Sequence, residues 1–298
     1  MADDTAAGAA AEEILYAAGN GNWEAFRAAG FTLDDVTAAA ADWAAALAGI
    51  ARPWLCWNVD PDWNLVQQKL VASVGWTPVV GFDPRVGPPP LLPGAILIDF
   101  NARFRLPSMW MHFPLEFTFL TCERMAFWHA DCLLRPEKMA ALAARFAALP
   151  DGETAAVKPR PGWRTRLNPR LQRYWEVVGC NTRAASRSQF EHGSGWWMHF
   201  AHHPNGAADF TARQAYYWDS GVGIRFWHRK GWGRVQLIPK SYIEEGHFTG
   251  VGRPGYRRAS PKNQARDLSK ELSLNYDLRA ACASLGLQHL LADPPAGG

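Results

Sequence analysis

No two cysteines of this chain stand in a Cys-x-x-Cys pair. The five, Cys56, Cys122, Cys132, Cys180 and Cys282, are odd in number and widely scattered, which argues against a disulfide framework, a thiolate zinc site and a redox dithiol. A reduced, cytoplasmic setting fits that usage. No apolar run reaches the length of a membrane span. Met1 is followed by Asp3, Asp4, Glu12 and Glu13 among alanines, so the basic and apolar regions of a signal peptide are missing too. There is no Walker loop and no dinucleotide glycine fingerprint, and Gly193-Ser194-Gly195 lacks the spacing of a nucleophile elbow.

Net charge is also scarce, at +3, but it is unevenly spread. Residues 1–50 hold eight acids and one base, a net −7, which leaves +10 for the remainder. A basic body behind an acidic cap attracts anions, among them phosphorylated small molecules, nucleic acid and anionic lipid. Tryptophan is what the chain has in excess: 15 in 298 residues, more than a core of this size needs. Indole faces stack on sugar rings and nucleobases as readily as they fill a core.

Residues 1–50 read as short Ala-rich helices. Thr32–Ile50 forms one of them, behind a Thr-x-x-Asp capping pattern. From Arg52 the texture changes to short apolar runs separated by helical or Pro/Gly-rich pieces, the alternation of an α/β sheet. The runs predict strands over Trp54–Val59, Thr77–Phe82, Ala95–Asp99 and Arg124–His129, with helices over Asp62–Val74 and Arg135–Leu149. Pro84–Pro93 reads as a loop and Asp151–Arg173 as a basic surface crossing or small lid. Beyond it come Tyr174–Cys180, a helix around Ser186–His199, a strand or turn at Tyr216–Trp227, a strand at Arg234–Pro239, a basic tail and a helical end to about Leu291.

The stretch richest in chemistry runs from Arg124 to Leu142: a buried strand ends in His129-Ala130-Asp131 and a Pro-started helix follows. Alternation puts His129 and Asp131 on one side, in the crevice where open α/β sheets bind ligands. One imidazole and one carboxylate can share a divalent cation, or they can simply hydrogen-bond the strand end. The segment 178–200 offers Asn181, Arg183, Ser186, Arg187 and Gln189 as donors and Trp196 and Trp197 as platforms for a hydroxyl-rich ligand. His199, His202 and His203 have helical zinc spacing, but Phe200 stands where a His-Glu-x-x-His site has its glutamate.

The strand, His129-x-Asp131 and helix order resembles the Asp-x-Asp segment of GT-A type glycosyltransferases, with His129 in place of the first aspartate. Tyr216-Tyr-Trp-Asp-Ser-Gly-Val-Gly-Ile-Arg resembles the acidic motif of the same fold, where a carboxylate precedes a small helix. Val235–Pro239 followed by His247 resembles its last strand and late histidine. The resemblance covers roughly residues 52–260. It implies an α/β fold with a GT-A-like mixed open sheet flanked by helices, in which residues 1–50 are a helical extension and residues 51–298 hold the nucleotide-sugar and acceptor sites.

The implied activity is transfer of a sugar from a nucleoside diphosphate donor to a hydroxyl of a glycan or other acceptor. Mn²⁺ or Mg²⁺ would be held by Asp131 and His247, and the donor by His129, Asp131, Arg183, Arg257 and Arg258. Asp219 would be the catalytic base, a position equally suited to capping a helix. Trp196, Trp197 and Trp218 would contact sugar or acceptor. Two rivals stay open: a catalytically silent sugar or nucleotide binder on the same fold, and a nucleic-acid-binding protein, against which the modest charge excess speaks.

Overall fold

The structure, a computed structural model, describes residues 32–82, 86–100, 102, 115–116, 118–158, 173–196, 221–248 and 277–291. It is an α/β fold with a seven-stranded mixed sheet between helices. In chain order the elements are α1 (Leu33–Ala46), β1 (Pro53–Asn58), α2 (Pro61–Ser73), β2 (Thr77–Phe82), β3 (Ile96–Leu97), β4 (Arg124–Trp128), α3 (Pro136–Ala147), β5 (Glu153–Val157), β6 (Trp175–Thr182), α4 (Arg183–Glu191), α5 (Val222–Arg229), β7 (Arg234–Ile238) and α6 (Leu278–Leu285). Single 3₁₀ turns lie at Lys240–Tyr242 and Gln288–Leu291. Among the described residues no helix is long and apolar enough to cross a membrane.

The sheet runs β3-β2-β1-β4-β6-β5-β7. β6 is antiparallel to both its neighbours, and the remaining pairs are parallel. Strand β1 is buried along its whole length, as a parallel strand covered on both faces must be. Its alternate residues divide between two cores. Leu55 and Trp57 join Phe127 of β4 on one face; Trp54 and Cys56 join Trp128 on the other. Helices α2, α3 and α6 cover the second face.

The strand expectations of the first half hold within a residue or two, except that Ala95–Asp99 pairs only at Ile96–Leu97. Helix α2 starts where Asp60 Oδ1 accepts from Trp63 N–H at 3.0 Å with Pro61 in the first turn, a cap and a preset φ acting together. Helix α1 carries the expected capping box: Thr32 accepts from Asp35 N–H, and the Asp35 carboxylate accepts from Thr32 N–H at 2.8 Å. It is not set apart from the sheet. Ala39, Ala40, Trp43 and Leu47 are buried in the same core as Leu55 and Trp57, and the Trp43 ring meets Phe100 edge-on at 5.3 Å.

Two expectations are corrected. The segment read as a crossing or lid contributes β5, which is paired on both sides, between β6 and the edge strand β7. Its Thr-Ala-Ala core has weak strand preference, so pairing on both edges decides its conformation. Tyr216–Trp227, read as strand or turn, contains the start of α5; residues 216–220 lie outside the described ones. Burial of Ile224 and Trp227, three apart on one helix face, outweighs the strand preference of the aromatic and β-branched residues. The helix expected around Ser186–His199 is α4: it begins at Arg183, because the Thr182 hydroxyl caps it by accepting from Ala185 N–H at 3.4 Å, and it already ends at Glu191, ahead of Gly193 with its positive φ.

Candidate metal centre

The carboxyl ends of β1, β2, β4, β5 and β7 and the amino end of β6 share one edge of the sheet. Chain order reverses between β1 and β4: β2 and β3 lie on one side of β1, and β4 lies on the other. Such a switch point opens a crevice at the carboxyl ends of the strands. The turn that leaves β4 there is His129–Leu134.

Hydrogen bonds fix this turn from three sides. His129 N–H donates to Val177 of β6 at 2.8 Å, and Cys132 N–H closes the turn on the His129 carbonyl at 3.1 Å. The segment after β7 then pairs antiparallel with it through a bridge between Cys132 and His247. Leu133 N–H donates to the Gly246 carbonyl at 2.9 Å, and Phe248 N–H to the Asp131 carbonyl at 3.1 Å. From the helix side, Gln67 of α2 donates its side-chain amide to the carbonyls of His129 at 3.0 Å and Cys132 at 2.8 Å.

His129, Asp131 and His247 therefore converge, each offering one donor atom, all within 4.8 Å of one another. Asp131 Oδ1 is 3.8 Å from His129 Nδ1 and 3.5 Å from His247 Nε2. Donor atoms about 2.1 Å from one cation stand roughly 3 Å apart at right angles, so movements on the order of 1 Å would close these three around an ion. The site is mostly enclosed, with the side chains of His129, Asp131 and His247 exposed by 22%, 12% and 6%. The Trp175 ring stands edge-on to His247 at 5.4 Å, and the Lys240 ammonium lies 5.7 Å over Trp175. The neighbouring Cys132 is not part of this group of donor atoms. Burial, with the Asp131 carboxylate beside it, pushes its thiol well above the usual range.

Two residues that sequence reasoning missed belong to this site. Glu176 is buried at the start of β6, with Oε1 3.9 Å from His129 Nε2 and Oε2 3.3 Å from Arg173. Its signal was a carboxylate in the otherwise apolar run Trp175-Glu-Val-Val-Gly-Cys. Gln67 is the other, an amide on the buried stripe of α2.

Of the donor-side expectations, His129 and Asp131 are brought together and Arg183 is not. Arg183 follows Thr182, which pairs with Arg124 at the amino end of β4, and it bonds to Glu123 and Thr121. At about 3.3 Å per strand residue it lies roughly 15–20 Å from His129. Trp196 is 1% exposed, its ring against Phe127 and its indole N–H donating to Asn181 at 3.0 Å. That indole is a core element. Asn181, Ser186, Gln189 and Thr154 form a buried network of mutual hydrogen bonds of 2.8–3.0 Å, so they satisfy one another inside the fold. Asp219, Trp197, Trp218, Arg257 and Arg258, and the histidines at 199, 202 and 203, lie outside the described residues.

In comparisons with known proteins, the chain matches no family model, no curated protein and no solved structure.

Proposed function

We propose that this chain is a divalent-metal-dependent glycosyltransferase of the GT-A type, moving a sugar from a nucleoside diphosphate donor to a hydroxyl acceptor. The observation that carries the reading is the convergence of His129, Asp131 and His247 at the carboxyl end of β4, beside the switch point of a mixed open sheet. A strand-borne aspartate before a helix and a late histidine after the last strand are the two metal ligands the resemblance implies. His129 adds a third donor.

A cation there would neutralise the charge that builds on a diphosphate leaving group. The chain's own residues supply the rest. The tied turn holds two donors in register and Trp175 packs edge-on against His247, while the cations nearby, Lys240 and Arg173, are each paired with a carboxylate, Glu244 and Glu176. Two imidazoles and one carboxylate suit Mn²⁺ better than Mg²⁺, which prefers oxygen ligands. Asp219 as base, Arg257 and Arg258 over the diphosphate, and Trp197 and Trp218 toward the acceptor complete the proposal.

The test is thermal stability of the purified chain against a panel of nucleoside diphosphates and nucleotide sugars, with and without Mn²⁺, for wild type and Asp131→Ala. The expected result is a Mn²⁺-dependent rise with one nucleotide, absent in the variant; saturation at about 100 Kd corresponds to about 2.7 kcal/mol. Release of the nucleoside diphosphate when a hydroxyl acceptor is added separates a transferase from a silent binder. No shift with any nucleotide removes the donor-binding claim. Binding to single-stranded nucleic acid that weakens steeply with salt would replace it.

The two-histidine, one-carboxylate set also occurs in non-haem iron(II) oxygenases. Dioxygen uptake dependent on Fe²⁺, with no nucleotide effect, is the outcome that would favour that second reading.

A further inference from the structure

We propose that Gln67 is a positioning residue of this centre: its side-chain amide sets the spacing between His129 and Asp131 and thereby the affinity for the cation. The inference rests on the metal reading above and goes beyond it by naming what holds the donor turn in shape.

Gln67 is completely buried on α2, among Val66 and Leu70 and the amides Asn64 and Gln68, whose own hydrogen bonds go elsewhere, to Cys56, to each other and to Pro90. An aliphatic side chain of similar size would suit that position better, because a buried amide must be matched by partners. The partners are specific. Both carbonyls that Gln67 reaches, His129 O and Cys132 O, belong to the turn that carries the donors, and they bracket Asp131. Two acceptors facing one end of the carboxamide also fix which end is nitrogen, since the reverse orientation would set oxygen against oxygen. Gln67 Oε1 has no hydrogen-bond partner among the described residues, so the amide stands there for its two hydrogens.

The mechanical consequence follows from where the turn is otherwise tied. On the far side it is held by the strand segment of His247, through the Leu133–Gly246 and Phe248–Asp131 bonds. On the near side Gln67 is the side chain that grips it from α2. Releasing that grip leaves His129 and Asp131 in place along the chain and lets the turn between them open, so the donors lose their common focus while the sheet stays intact. Residues that orient ligands without touching the metal affect affinity by roughly 10- to 100-fold when removed.

The experiment measures Mn²⁺ binding to the full chain, by the electron paramagnetic resonance signal of free Mn²⁺, for wild type, Gln67→Met and Gln67→Glu. Urea unfolding of the metal-free proteins runs alongside. Gln67→Met keeps the volume and removes both donors; Gln67→Glu keeps the shape and sets a carboxylate against two carbonyls. The expectation is a Mn²⁺ dissociation constant roughly 10- to 100-fold higher in Gln67→Met and at least as high in Gln67→Glu, in proteins that unfold cooperatively without metal. A merely structural glutamine would lower metal-free stability and leave the dissociation constant at the wild-type value, which overturns the proposal.

Wild-type protein that binds neither Mn²⁺ nor Zn²⁺ overturns the metal reading and this inference with it. If neither variant folds, the wild-type chain decides. Titration with diamagnetic Zn²⁺ should shift the Gln67 side-chain amide resonances in step with site occupancy. Resonances that stay fixed while Zn²⁺ binds overturn the role of Gln67 and leave the metal site standing.

Discussion

Replacing Gly246 by alanine sets two physical effects against each other, and the structure decides the sign. Gly246 is not among the glycines with positive φ, so on conformational grounds alanine would stabilise the chain by about 0.4–1 kcal/mol through the unfolded state. Yet a Cβ at Gly246 would sit 1.7 Å from the Leu133 carbonyl oxygen and 2.9 Å from its carbon. Both are backbone atoms, so no rotamer change relieves the clash. The two segments must part by roughly 1.5 Å to reach ordinary van der Waals separation.

That movement takes the Leu133–Gly246 bond, now 2.9 Å, and the Phe248–Asp131 bond, now 3.1 Å, beyond hydrogen-bonding range. Two bonds at about 0.5–1.5 kcal/mol each, with a further penalty for the buried groups left unpaired, give a net loss of about 2–4 kcal/mol. At roughly 2 °C per kcal/mol for a chain of this length, the melting temperature should fall by about 4–8 °C. Urea unfolding checks the free energy, and Mn²⁺ titration checks the site, because the same movement carries His247 away from Asp131. Unchanged or raised stability in Gly246→Ala would refute the close approach of these two segments and the convergence built on it.

Acid sensitivity should trace in part to His228. Burial, then Arg225 and Lys158, holds this imidazole below its ordinary value of 6.5, and its Nδ1 shares a hydrogen bond with the Tyr174 hydroxyl at 2.6 Å. The unfolded chain therefore takes up this proton first: the contribution is complete above about pH 6.5 and is lost as pH falls through the lowered folded value. Comparison of urea unfolding at pH 8 and pH 5 should show a smaller drop for His228→Gln than for wild type; equal drops would sink the assignment. At the proposed metal centre, His129→Asp should bind Mn²⁺ more weakly than wild type despite creating an Asp-x-Asp pattern, and adding Glu176→Gln should recover part of the loss. A single variant that binds as tightly as wild type would refute the role given to Glu176.

The alternation of apolar runs and helical pieces made the first half of the fold legible, because buried parallel strands such as Trp-Leu-Cys-Trp in β1 carry their own signal. The capping box at Thr32 and the proline starts of α2 and α3 were legible for the same local reason. Strand β5 was not, since two alanines say little and the strand exists because β6 and β7 offer edges on either side. Nor was α5, whose helical state is set by what Ile224 and Trp227 pack against. At the site, His129 and Asp131 could be read together because they are two apart on one strand end. His247 could be reached only through a resemblance, because its place depends on a bridge to Cys132 from the far side of the sheet. Gln67, one of three buried amides on α2, and Glu176, a lone carboxylate in an apolar run, are not legible in the sequence because a buried polar residue becomes meaningful only when its partners are known.

The histidine at position 129 and the carboxylate at 176 are best understood as one feature. His129 presents Nδ1 toward Asp131 at 3.8 Å and Nε2 toward Glu176 at 3.9 Å, so the imidazole stands between two carboxylates. An aspartate in its place would bring three together in a largely buried site. Like charges about 4 Å apart repel by on the order of 4 kcal/mol at an effective dielectric of about 20, and Arg173, already paired with Glu176, offsets only part of that. The imidazole avoids the repulsion and keeps a donor aimed at the centre, with its second nitrogen directed at a carboxylate that can fix the ring's orientation. It also changes what the centre offers a ligand. With two neutral imidazoles and a single carboxylate, a divalent ion would retain one formal positive charge toward the crevice, which a second ligating carboxylate would cancel. A centre that must receive an anionic diphosphate gains from keeping that charge, so the departure from Asp-x-Asp is compatible with the proposed chemistry, provided Glu176 stays where it is.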